Sequence, residues 1–371
     1  MRYFFSTGEP SGELSAVLLA QAIAHVDPQA TFEGIGAQRM RDGGFTLWRD
    51  HSGWAAMGPL AAIPKIPPLL LACIQTARHI ARERPALVVL VDFGAFNVRL
   101  AKYLRKNLKY AGPIMYLFPP AAWLDNENVA RVVSGATVPV VAFERQYAFY
   151  KEHKFPAVYF GHPLAAQYPL RDASPPPPRD GGTIAILPGS RRGELKHHLP
   201  PLLGAFAQLK KERPHLRAIF GAANPSGERH IARAIAKAGV HDASIVRGVR
   251  EAVKHADAAF VSSGTAVLEV ALLGVPSVAL YIIEKILARH ARNVYSGKYI
   301  TLPNLMLGRG VIPELLQDAA TPTALAREMD AVLDDPLVQY RSLTELRTHL
   351  GPDSALQDCA KFAYALAMAG A

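Results

Sequence analysis

Short apolar runs rich in β-branched and aromatic residues alternate along this chain with longer stretches of helical period. Arg2–Thr7, Leu87–Val91, Ile114–Phe118 and Val138–Ala142 read as buried strands. Between them, Leu14–His25, Ile63–Arg84, Phe96–Asn107 and Glu144–His153 carry helical spacing. Strands separated by helices cannot close as hairpins, so each crosses over and pairs parallel to an earlier one. That restricts the chain to an α/β class with a mostly parallel sheet.

The alternation stops once, between Ser174 and Gly182. Pro175 to Pro178 form a stiff spacer ending in a flexible Gly181-Gly182 pair, and no sheet admits such a segment. It then restarts, with strands expected at Thr183–Leu187, Arg217–Phe220, Ala258–Val261 and Ser277–Tyr281. Helices are expected at Leu199–Arg213, Glu228–Ala238, Thr265–Leu273 and Ile283–Val294, and from Pro322 onward the pattern is all helical, with breaks at Pro336 and Pro352. The expectation is two doubly wound, Rossmann-like α/β domains, 1–173 and 183–350, joined by a 174–182 linker and closed by a helix over 353–371. A length of 371 residues suits two such domains. Ligands of these sheets lie at the carboxyl ends of strands, here expected where the two halves face each other across a cleft.

Composition narrows the function classes. Cys73 and Cys359 are far apart, with no CxxC and no Cys/His cluster, which speaks against a disulfide scaffold or a zinc module and for a reducing cytoplasm. The apolar start, Tyr3-Phe4-Phe5, is too short for a signal-peptide core. No stretch reaches the ~20 apolar residues of a membrane span, so a soluble or peripheral protein is expected. A net charge of +10 favours anionic partners. Nucleic acid is not expected, since no homeodomain, zinc-finger or RNP pattern occurs.

Four motifs could carry chemistry. Gly8-Glu9-Pro10-Ser11-Gly12-Glu13 follows the first strand and opens a helix. It reads either as backbone amides offered to a ligand or as a tight turn with Ser11 capping the helix. Asp92 ends the apolar run Leu87–Val91, where burial suits a general base, or else it caps the helix near Phe96-Asn97. Leu187-Pro188-Gly189-Ser190-Arg191-Arg192-Gly193-Glu194 combines a glycine turn with paired arginines, an arrangement suited to a diphosphate. Ser262-Ser263-Gly264-Thr265-Ala266 opens a helix with small residues, and Glu269 lies one turn in, within reach of ribose hydroxyls. Among the histidines, His197-His198 read as a wet helix start, and His162 as a group at the ligand side with a structural hydrogen bond as its default role. No HExxH or similar ligand spacing points to a metal.

Taken in order, these residues resemble the lipid A disaccharide synthase family, inverting glycosyltransferases of the GT-B type. The resemblance runs from Gly8 to about Gln317. Besides the motifs above it rests on Gly34-Ile35-Gly36-Ala37-Gln38-Arg39-Met40, Ala56-Met57-Gly58, Gly161-His162, Leu302-Pro303-Asn304-Leu305 and Gly308-Arg309. It implies transfer of 2,3-diacylglucosamine from UDP to the 6-hydroxyl of 2,3-diacylglucosamine-1-phosphate, giving the β-1,6 disaccharide and UDP. Asp92 would be the general base, with Arg191 assisting catalysis. Gly189, Ser190, Arg191, Ser263, Gly264, Thr265, Ala266, Glu269 and Asn304 would hold UDP. Gly8, Glu9, Ser11, Gly12, Asp92 and His162 would form the acceptor side, placing the acceptor on the first domain and the donor on the second. No cofactor and no metal are implied.

The resemblance also implies a protein peripheral to the inner face of the bacterial inner membrane, and Ile63 to Leu71 would suit acyl chains or an anionic surface, or else begin a core helix. The chain departs from the family at Glu13, where an aspartate is usual, at Ala95, where a second carboxylate is usual, and at Pro119-Pro120-Ala121-Ala122-Trp123. A related UDP-sugar transferase with another lipid acceptor, a UDP-sugar epimerase and a non-catalytic nucleotide-binding homologue are the alternatives.

Overall fold

The structure is a computed structural model, and it describes residues 1–52, 54, 66–120, 126–167, 182–284 and 298–370. The chain divides into two compact units, Met1–Pro169 with His349–Ala371, and Leu170–Thr348. Each is built on one sheet whose described strand pairs are all parallel.

The first unit has strands β1 (Arg2–Ser6), β2 (Thr31–Gly36), β3 (Thr46–Asp50), β4 (Leu87–Val91), β5 (Ile114–Leu117), β6 (Val138–Val141) and β7 (Val158–Tyr159), in the order β3-β2-β1-β4-β5-β6-β7. Its first helices are α1 (Pro10–Val26), α2 (Gln38–Asp42), α3 (Ile66–Glu83), α4 (Gly94–Lys106), α5 (Glu127–Ala136) and α6 (Glu144–Glu152).

In the second unit β8 (Thr183–Leu187), β9 (Arg217–Ala222), β10 (Ala243–Arg247), β11 (Ala258–Ser262), β12 (Ser277–Tyr281) and β13 (Glu314–Leu316) are ordered β10-β9-β8-β11-β12-β13. Its helices are α7 (Arg192–Glu212), α8 (Pro225–Ala238), α9 (Val249–Val253), α10 (Thr265–Leu272), α11 (Leu302–Leu307), α12 (Pro322–Asp334) and α13 (Pro336–Thr348). The last helix, α14 (Ala355–Gly370), belongs to the first unit.

Strand alternation builds two apolar layers in the first unit. Tyr3, Phe5, Val89, Val91 and Met115 point to one face, where Leu19 and Ile23 of α1 meet Cys359, Ala360 and Ala363 of α14. Phe4, Val88, Leu90, Ile114 and Tyr116 point to the other, under Ala77 and Ile80 of α3 and Leu100 of α4. Both faces are covered, so β4 is buried at every residue, as a central parallel strand must be. The small residues of α14 let it lie close against α1 and the sheet.

The sequence reading missed β2, β3, β7, β10 and β13. All lie at or next to sheet edges. Strand β3 alternates exposed and half-buried residues and β7 has two residues, so the continuous apolar signal of a central strand is absent. Helix α7 begins at Arg192, not Leu199, and runs through Pro200 and Pro201. Those prolines lack the N–H groups that would bond four residues back, which made the stretch look like a boundary. The spacer up to Gly181, Ala56-Met57-Gly58, Ile63 to Lys65, Ala121 to Trp123 and nearly all of the helix expected over Ile283–Val294 lie outside the described residues.

Candidate active site

In each sheet the winding direction changes at one place, between β1 and β4 in the first unit and between β8 and β11 in the second. Loops leaving adjacent strand ends there diverge to opposite faces and open a crevice for a ligand. In the first unit these loops are Thr7–Glu9 and Asp92–Phe93, and in the second they are Pro188–Arg191 and Ser263–Gly264. All four sequence motifs therefore sit at the two switch points.

In the first unit, Asp92 is half-buried, and it and Phe93 both take left-handed backbone at φ +47°. Such backbone is uncommon at non-glycine residues and stores strain, and here two take it in succession. Buried Asn97 holds the turn, its Nδ2 donating to the carbonyls of Ser6 (3.0 Å), Val91 (3.1 Å) and Asp92 (3.0 Å). Ser6 Oγ donates to Asn97 Oδ1 at 2.6 Å, and the Tyr116 hydroxyl donates to the Asp92 carbonyl at 2.8 Å. Gly8 passes under the Phe93 ring, where a Cβ would fall 2.1 Å from Cδ1, so only glycine fits.

Glu9 is the N-cap of α1 with no side-chain cap bond, and Ser11 lies inside the helix, so Ser11 does not cap it as one reading of the motif had it. Gly12 is buried in the first turn, against β4. Glu13 is buried too, its Oε2 accepting from the amides of Ala37 (3.1 Å) and Met40 (3.3 Å) while Oε1 lies 3.2 Å from His51 Nε2. Burial pushes its carboxyl up, but His51 and the two amides outweigh that and hold it below the usual range. The departure at Glu13 is thus a brace for the start of α2.

His162 is buried against Phe118, the ring planes 7° apart with centroids at 5.4 Å, and against Phe143. Its Nδ1 accepts from the Leu164 amide at 3.2 Å, which assigns the proton to Nε2. Burial lowers its pKa to about 3, so it is neutral at ordinary pH and a poor proton acceptor.

In the second unit, the turn expected to cradle a diphosphate is already occupied. Glu194 Oε2 accepts from the amides of Ser190 (2.9 Å) and Arg191 (3.1 Å), and Oε1 accepts from Arg191 Nη1 at 3.1 Å. Gly189 on this turn is half-buried, and the Arg191 side chain is 34% exposed. The neighbouring turn differs. Gly264, at φ +155° and ψ −162°, is in a region essentially restricted to glycine and caps α10 with no side chain over it. Ser263 N donates to the Leu280 carbonyl at 2.9 Å, whereas the amides of Thr265 and Ala266 meet no acceptor among the described residues. Glu269 is half-buried one turn into α10.

Two residues stand differently from expectation. His198 is fully buried, not wet: Nδ1 lies 2.8 Å from the Pro188 carbonyl, and Nε2 accepts from the Ile282 amide at 2.9 Å. It bridges the β8 loop to the end of β12, and burial lowers its pKa. Asn304, expected at UDP, is 1% exposed and uses its whole amide within the chain. Its Nδ2 donates to the Ile312 carbonyl and Glu314 Oε1, both at 2.8 Å, and its Oδ1 accepts from the amides of Val311 (2.8 Å) and Ile312 (2.9 Å). A direct bond to UDP would need one of these broken, and in the structure Asn304 locks the segment before β13.

The geometry therefore groups Gly8, Glu9, Ser11 and Gly12 with Asp92, and Arg191 with Ser263 to Ala266 and Glu269. His162 sits beyond β5 and β6, and Asn304 beside β13. Sequence reasoning missed Tyr116 and Glu314, quoted Glu194 and Asn97 without a role, and read His198 as wet. Glu194 had a signal, lying three residues after the N-cap Arg191 where a capping carboxylate belongs. Among the described residues no cluster of His, Cys, Asp and Glu is placed to hold a metal ion.

The family model for lipid-A-disaccharide synthetase matches residues 3–351. The chain belongs to the lipid-A-disaccharide synthase family. The lipid-A-disaccharide synthase of Syntrophus aciditrophicus is 32% identical over 372 residues, covering 97% of this chain and 96% of that protein. Membership makes the chain a glycosyltransferase, and solved structures agree in fold. A UDP-GlcNAc 2-epimerase from Neisseria meningitidis, solved with UDP-GlcNAc bound, matches with a TM-score of 0.63 at 11% identity over 100% of both chains. MurG from Acinetobacter baumannii matches with a TM-score of 0.55 at 16% identity, over 98% of this chain and 99% of its own. Two α/β units with parallel sheets and a helical end are the GT-B architecture of this family.

Proposed function

We propose that this family member transfers 2,3-diacylglucosamine from UDP to the 6-hydroxyl of 2,3-diacylglucosamine-1-phosphate, with Asp92 as general base. The acceptor 6-hydroxyl gives its proton to the Asp92 carboxylate as its oxygen bonds to the anomeric carbon. The bond from that carbon to the diphosphate breaks, and UDP leaves with the electron pair. Arg191 and the open amides of Thr265 and Ala266 take up the charge on the leaving diphosphate. Glu269 accepts from the ribose, while Glu194 and Asn304 hold their loops in shape. Gly8, Glu9, Ser11 and Gly12 shape the acceptor side.

The observation carrying this reading is the strained Asp92 turn at the first switch point of a chain in this family. The UDP and UDP-GlcNAc bound by fold neighbours support a UDP-sugar as donor. Mass spectrometry of the products from UDP-diacylglucosamine and the acylated acceptor is the test. The β-1,6 disaccharide phosphate and UDP are expected, and a different glycolipid, or UDP-sugar left unconsumed, would overturn the assignment.

Attachment to the inner face of the inner membrane completes the reading. No described helix is long and apolar enough to cross a membrane. At the start of α3, Leu70 and Leu71 are 46% and 56% exposed, and a chain of net charge +10 is drawn to anionic lipid.

A further inference from the structure

We propose that Asn97 and Tyr116 are positioning residues for Asp92, clamping its backbone carbonyl so that the left-handed turn holds the carboxylate in one direction. The proposal rests on the reading of Asp92 as the general base.

Asp92 and Phe93 are consecutive non-glycine residues at φ +47°, a conformation that costs free energy at each and is uncommon in succession. The Asp92 carbonyl oxygen accepts two bonds, from the Tyr116 hydroxyl at 2.8 Å and from Asn97 Nδ2 at 3.0 Å, which uses both of its lone pairs. The Asp92 amide donates to the Leu117 carbonyl at 3.0 Å, so both polar groups of its backbone are held. The Asn97 amide also bonds the carbonyls of Val91 and Ser6, joining the carboxyl ends of β4 and β1 at the switch point itself.

Asn97 and Tyr116 are both 0% exposed, so neither can touch a substrate and any effect on turnover passes through the turn. Burial pushes the Tyr116 phenol well above its usual value, so it remains a donor throughout the working range. Side-chain direction follows backbone φ and ψ. Releasing the Asp92 peptide therefore frees the carboxylate to sample positions from which it cannot take the proton.

The test compares the full-length protein with Tyr116→Phe, Asp92→Asn and the double variant, measuring kcat, donor KM, UDP affinity and circular dichroism. Tyr116→Phe should lower kcat about tenfold, the scale of one hydrogen bond, with donor KM, UDP affinity and fold unchanged. On the Asp92→Asn background the same change should cost no further turnover, because it acts through the carboxylate. An equal loss on both backgrounds, or unchanged kcat in Tyr116→Phe, would overturn the proposal. Asn97→Ala should show a larger loss. Should that variant fail to fold, Tyr116→Phe, which removes one buried hydroxyl and no volume beyond it, still decides. Near-normal turnover by Asp92→Asn alone would sink the base reading and this inference with it, a result distinct from failure of the clamp.

Discussion

Arg191 and Asn304 came from the same motif series, yet they stand in opposite situations. Arg191 gives one nitrogen to Glu194, in a side chain that water reaches. Arg191→Ala should weaken UDP binding by about 1.5–3 kcal/mol, the scale of a charge-assisted contact; unchanged affinity by calorimetry would remove it from the site. Asn304→Ala should instead act on stability, since it strands the half-buried amide of Val311 and the buried amide of Ile312. About 1–3 kcal/mol of destabilisation is expected for such groups, seen as a lower melting temperature. A large loss of UDP affinity with unchanged melting would contradict the lock. Positions of this kind were legible as motif residues, but their partners were not. Glu314 lies ten residues beyond Asn304, and Ile282 lies 84 residues beyond His198, so neither pairing has a local pattern.

Legibility at the scale of elements followed burial. Strands β4 and β11, buried at every residue, could be read directly, while edge strand β3 mixes charged and apolar residues and β7 has only two residues, so neither could. Helix α3 shows a further gap, since its period was clear but not which end faced water. Ala72, Cys73, Ala77 and Ile80 are buried, while Leu70 and Leu71 at its start are exposed. Replacing those two leucines with serine should reduce sedimentation with anionic vesicles and leave melting nearly unchanged; full retention on vesicles would move membrane contact elsewhere. His162 offers a pH test. Its folded pKa of about 3 lies below the unfolded value of about 6.5. The unfolded state therefore binds more protons below that value, and the stability His162 contributes is full above about pH 6.5 and lost as pH falls toward 3. His162→Asn keeps an acceptor for the Leu164 amide without titrating, so its melting temperature should fall less between pH 6.5 and 5. Equal slopes in both proteins would show that His162 does not titrate with unfolding.

For the whole molecule, the repeated alternation of strand and helix was enough to indicate two parallel α/β sheets, because crossover handedness and pairing leave few alternatives. It was also enough to put the motifs at strand ends, since a turn between an apolar run and a helix can lie nowhere else. The left-handed backbone at Asp92 was beyond reach, because nothing in Val91-Asp92-Phe93-Gly94 requires it without the side chains of Asn97 and Tyr116. That turn is the centre of the functional claim, and the turnover of Asp92→Asn with the acylated donor and acceptor tests it most directly. The change keeps size and removes basicity. Turnover should fall about 10²–10⁴-fold, the usual contribution of a general base, with UDP affinity by calorimetry unchanged. Near-normal turnover in a correctly folded variant would contradict the assignment of Asp92 as the base.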